Sequence, residues 1–225
     1  MESWRDTRFF FMAFLIIAAA AVPFAAAIAV NAHIMDSFRD TVFLPTVFLI
    51  LFFVGLGLGT LCAIQEFTEK TTHFLFTRPR SRKYFVWVGW TIGFIELMII
   101  AGVSLSAGWL ALAHYGMHPF ASAHTEAVKR QDILGLFVYA TFIYSLTYSL
   151  TAILRNGLKG LGAAMGILAI LQAFAIAMRV RWNLNVPIPP LPIDHVPLLL
   201  SNSIWIFVAL LFVLAAQLVV EQAEV

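Results

Sequence analysis

Charge is what this chain has least of. Only 12% of its 225 residues are Asp, Glu, Lys or Arg, while 61% are hydrophobic; a soluble domain carries roughly a quarter charged residues. No polar interval is long enough for a separate soluble domain, so the composition excludes that class. The single cysteine, Cys62, lies in an apolar run, which excludes an intrachain disulfide and any CxxC site. A phosphate-cradling GxxxxGK[ST] loop is also missing. The nearest string, GLKGLG over Gly157–Gly162, lacks the spacing and the following Ser or Thr, so the chain does not hydrolyse nucleotide by that route. HExxH and GxSxG are absent as well. The chain reads as no enzyme, with no metal site and no cofactor of its own.

What it does have is apolar runs. Six have spanning length for a hydrocarbon core of roughly 30 Å, at about 9–30, 43–64, 84–114, 133–154, 161–178 and 203–220. The expected fold is therefore an all-α integral membrane protein of six transmembrane helices, a single transmembrane domain over 1–225. The first run follows Arg5 and Arg8 as a signal peptide would. It is longer than the usual apolar region of roughly 7–15 residues, and so is expected to stay as an uncleaved span kinked at Pro23. Lys and Arg placement sets orientation. Arg5, Arg8, Lys70, Arg78, Arg80, Arg82, Lys83, Arg155 and Lys159 fall on one side, and Arg39, Lys129, Arg130, Arg179 and Arg181 on the other. Nine against five predicts both termini cytoplasmic, in a multi-pass protein of the cell membrane.

The third run exceeds the membrane thickness and should tilt or project. The fourth and fifth are joined only by Arg155–Gly160, a tight antiparallel hairpin. The fifth carries Gly160, Gly162, Ala163, Ala164 and Gly166, small residues that let another helix approach closely. Before the sixth, Pro187, Pro189, Pro190, Pro192 and Pro197 break any helix.

Between the second and third spans lies EFTEKTTHFLFTRPRSRK, Glu66–Lys83, with five of the fourteen Lys and Arg residues. Phe67, Phe74, Leu75 and Phe76 give it an apolar side. It predicts a short cytoplasmic amphipathic helix at the membrane surface, ending near Pro79. The pattern resembles the type-2 ABC transporter permease family: a glycine-bearing span end (Gly55, Gly57, Gly59), then Glu66, Thr71, Phe74-Leu75-Phe76, and Pro79-Arg80-Ser81-Arg82. Thr68 and Lys70 stand where that family usually has a second acid and a glycine, and Trp90 where a lysine is common.

The resemblance implies a membrane subunit working as a homodimer or heterodimer, binding no nucleic acid, and paired with a cytoplasmic ABC ATPase that holds the ATP and Mg. The short helix would dock on that ATPase as a coupling helix, and transport would run outward as an exporter. Glu66, Thr71, Phe74, Phe76, Arg78, Pro79, Ser81 and Arg82 would then form the ATPase-coupling site. Read by themselves, the basic residues also suit a juxtamembrane loop that touches anionic lipid.

Glu96 is the one acidic or basic residue deep in a span, about twelve residues or roughly 18 Å beyond Tyr84. Such a carboxyl faces a substrate path or proton site, or else bonds a neighbouring helix through Gln172 or Tyr144 and Tyr148. Tyr144, Tyr148 and Thr151 share a face of the polar fourth span by helical spacing. With Glu96 and Gln172 they are candidates for a translocation path, or for interhelical hydrogen bonds. The same carboxyl supports an alternative function, a proton- or ion-coupled secondary carrier centred on Glu96. A third, a haem- or metal-handling protein, would rest on His33, His114, His118, His124 and His195, whose spacings form no compact site.

Overall fold

A computed structural model describes residues 2–31, 44–67, 82–114, 126–182 and 198–222. Within them the chain is helical apart from one tight turn. The helices are α1 (Glu2–Asn31), α2 (Leu44–Phe67), α3 (Arg82–His114), α4 (Glu126–Leu154), α5 (Gly157–Trp182) and α6 (Leu198–Gln222). Five are long and apolar enough to cross a membrane, over Pro45–Ile64, Tyr84–Ala111, Leu134–Leu154, Gly157–Phe174 and Asn202–Gln222, which makes this a multi-pass membrane protein. The predicted first span lies within α1, whose apolar part, Phe9–Ala25, is shorter than those five. Pro23 sits inside α1. Of the stretch Glu66–Lys83 read as an amphipathic helix, residues 68–81 lie outside the described residues.

Four helices begin well before the predicted spans: α1 at Glu2 rather than 9, α6 at Leu198 rather than 203, and α4 and α5 as follows. α4 begins at Glu126 rather than 133, because charged residues that no membrane would accept still continue the helix beyond it. α5 begins at Gly157 rather than 161, because Asn156 caps it. The Asn156 side-chain oxygen accepts from the Lys159 N–H at 3.1 Å, and its carbonyl accepts from the Gly160 N–H at 2.9 Å. Arg155 takes a left-handed φ of 51° to end α4, so the hairpin turns in two residues.

α4 is the axis of the bundle. α2 and α6 pack along it, α5 folds back against it, and α3 lies mainly on α1 and α2. Of the span in α4, 83% is buried. Lipid tails solvate leucine as well as a protein interior does, so the helix that gains most from burial is the one with hydroxyls to satisfy. Thr141 and Thr147 donate to the carbonyls one turn back, Phe137 and Ile143, each at 2.8 Å. Tyr144, Ser145, Leu146, Thr147 and Tyr148 are fully buried.

Close helix approach was expected from the glycines of α5. The structure places it mainly on α2. A Cβ added at Gly59 would lie 2.8 Å from the Tyr144 carbonyl oxygen and 3.0 Å from the Tyr148 nitrogen, backbone atoms that cannot swing aside. In α5, Gly160 is seated against Thr151 and Gly157 against the Ile64 and Thr60 side chains of α2; Gly162 and Gly166 have nothing within 4 Å.

Candidate functional site

The polar stretch between the second and third spans enters the described structure at its two ends only. Glu66 is in the last turn of α2 and Arg82 is the first residue of α3. Thr71, Phe74, Phe76, Arg78, Pro79 and Ser81 lie outside the described residues.

The first turns of α3 are unusual for a membrane helix. Four residues past Arg82, side chains of two other helices close on a short segment, Val86–Trp90. The Tyr148 hydroxyl donates to the Val86 carbonyl at 2.9 Å. The Tyr144 hydroxyl donates to the Trp90 carbonyl at 2.9 Å, with the Gly89 carbonyl at 3.4 Å. In return the Trp90 indole N–H donates to the Ser145 hydroxyl at 3.0 Å. The Trp87 indole N–H donates to the Gln217 side-chain oxygen at 2.8 Å, and the Gln217 amide reaches the Glu221 carboxylate at 3.3 Å. A helix carbonyl keeps a second lone pair after its own i+4 bond, which is the acceptor the tyrosines use.

Packing enforces the same arrangement. Tyr144 and Tyr148 are the largest fully buried side chains. Their rings stand 6.0 Å apart, and the Tyr144 ring lies 6.3 Å from Trp90. Trp90 stacks on Phe94 at 5.1 Å and meets Trp87 edge-on at 5.9 Å. Room for the Tyr144 hydroxyl exists because residue 93 is glycine. A Cβ there would collide with that hydroxyl and with the Cys62 sulfur. Interhelical hydrogen bonds in membranes average about 0.6 kcal/mol, so the four between helices together contribute about 2.4 kcal/mol. Buried ring area adds to that. The start of α3 is clasped to α4 and α6.

Of the residues read as a translocation path, Tyr144 and Tyr148 are thus engaged with α3. Thr151 is buried against Gly160 at the α4–α5 hairpin, with its hydroxyl unpartnered. Gln172 is exposed on α5 and lies far from this group in the packing order, since α5 touches α4 and α2 rather than α3. Glu96 stands near the middle of the Tyr84–Ala111 span, half-buried, and makes no hydrogen bond or ion pair with the described residues. A carboxylate at the centre of a spanning helix costs about 3 kcal/mol on insertion scales. The bonds expected from Gln172, Tyr144 or Tyr148 to Glu96 are not formed.

Sequence reasoning passed over Trp87, Gln217 and Glu221. The available signal was an amide and an acid one turn apart at the end of the last span, with indoles at the start of the third. Among the histidines, His114 is exposed at the end of α3, and His33, His118, His124 and His195 lie outside the described residues. Among the described residues no three His, Cys, Asp or Glu side chains come together as a metal site. No family model, no curated protein and no solved structure matches this chain.

Proposed function

We propose that this chain is the permease subunit of a type-2 ABC transporter, driven by a separate cytoplasmic ATPase that binds ATP and Mg. The observation that supports the reading most is the clasp at Val86–Trp90, placed directly after the Glu66–Lys83 stretch. A docking segment can only drive transport if its displacement reaches the bundle. A helix about 50 Å long, by its 33 residues and 1.5 Å rise, gripped near its first turns by α4 and α6, carries such a displacement as a rigid body. In this reading Glu66, Arg78 and Arg82 meet charges on the ATPase rim, and Phe74 and Phe76 fill an apolar notch. Six spans, cytoplasmic termini, the coupling helix, a permease dimer and outward transport belong to the same proposal.

The test is purification of the tagged chain from its native cell in mild detergent. A stoichiometric P-loop ATPase is expected, lost when Glu66→Ala and Arg82→Ala are combined. An ATPase that stays bound to that double variant removes the docking assignment. A second reading, a gradient-driven carrier, is favoured by one observation only, Glu96 at mid-span without a partner among the described residues. It predicts a chain that purifies without an ATPase and whose transport collapses with the membrane gradient.

A further inference from the structure

We propose that Glu96 is the recognition carboxylate for a lipophilic organic cation. The inference rests on the transport reading and names its substrate class. Within the five spanning segments, Lys159 and Glu221 sit at the ends, and Glu96 is the one Asp, Glu, Lys or Arg in their interior. It is half-buried on α3 beside a face of exposed Ile92, Ile95 and Ile99, and no described side chain pairs with it. The hydroxyls that could have reached it, Tyr144 and Tyr148, are held on the carbonyls of α3 itself. A lone acid kept at this depth is complementary to a positive charge that arrives from outside the chain.

Depth and surroundings narrow the class. Calcium or magnesium needs six or more oxygen ligands or a shell of retained water, and zinc three or four side-chain ligands. One carboxylate flanked by isoleucines offers none of these, and no cluster of ligating side chains occurs among the described residues. A compact ammonium or polyamine would give up a strong hydration shell on reaching mid-bilayer. A single charge spread over an apolar, aromatic body loses little hydration, partitions to that depth unaided, and gains the carboxylate as counter-ion.

The probe is tetraphenylphosphonium, measured by equilibrium dialysis against the full purified chain in detergent, with and without its co-purifying subunits. Saturable binding is expected, at least about tenfold weaker in Glu96→Gln and retained in Glu96→Asp. Tetraphenylborate, of the same size and opposite charge, should not compete. In the wild-type protein, saturating tetraphenylphosphonium should slow modification of Glu96 by dicyclohexylcarbodiimide several-fold, read by peptide mass spectrometry, and tetraphenylborate should not. Equal binding to wild type and Glu96→Gln, no binding at all, or unslowed modification would each overturn the proposal. Because binding is read on the chain itself, an ATPase partner found without Glu96-dependent binding sinks this inference alone. Glu96-dependent binding without an ATPase partner sinks the ABC reading alone.

Discussion

α4 and α5 have spans of the same mean hydropathy, 1.5, yet 83% of one is buried and 11% of the other. They are consecutive, joined by a two-residue turn, and a hydropathy profile cannot tell them apart. The difference is in how each reaches that value. α4 is lowered by Thr, Ser and Tyr, whose hydroxyls need partners that lipid does not supply. α5 is lowered by four glycines, which need none, and by Lys159 and Gln172, which stand exposed, and its larger side chains, Leu158, Met165, Ile170, Phe174 and Ile176, face outward. For α4, burial follows the hydroxyls that need partners rather than apolar area.

The largest expected effect strikes the seat of α4. Gly59→Leu drives a side chain into the α4 backbone and should cost about 3 kcal/mol or more. The measurement is monodisperse yield in mild detergent, expected to collapse. Gly162→Leu on α5 is the matching control. With nothing within 4 Å of Gly162, it should change the thermal midpoint by no more than about 0.5 kcal/mol equivalent. A collapse there would show that α5 has a partner helix and would end the contrast.

A smaller effect comes from the clasp. Tyr144→Phe with Tyr148→Phe removes two interhelical bonds while keeping both rings, about 1 kcal/mol together, or a fall of about 3 °C in the thermal midpoint. If α3 transmits motion through these bonds, transport should fall by more than ATP hydrolysis does. Proportional losses of both would show that the tyrosines only stabilise the fold. The smallest effect is expected at Thr147→Val, since that hydroxyl bonds only its own helix at Ile143. A change beyond about 0.5 kcal/mol would mean that α4 hydroxyls act between helices more widely than their geometry indicates.

The candidate site was legible only in part. Residues 66–83 stand out because charge is so scarce elsewhere, and Glu96 is conspicuous for the same reason. Tyr144 and Tyr148 share a face by spacing alone. That their partners are main-chain carbonyls at Val86 and Trp90 was not readable, because a carbonyl acceptor carries no side-chain signature. Nor could the glycines be ranked by type. Gly59 and Gly162 look alike in a string, and the difference lies in which neighbour comes within 3 Å.

The sequence by itself determined that the chain is helical and belongs in a membrane. Runs of about twenty apolar residues cannot satisfy their backbone in lipid in any other way. It also determined where the polar interval falls and that one acid is stranded at mid-span. Only the tertiary structure decided which helix is central, which glycines are seats, and that the first turns of α3 are held by α4 and α6. Those are outcomes of long-range pairing. Lipid is as good a neighbour for an apolar face as another helix, so the choice rests on a handful of hydroxyls, indoles and amides meeting acceptors up to 130 positions away in the chain.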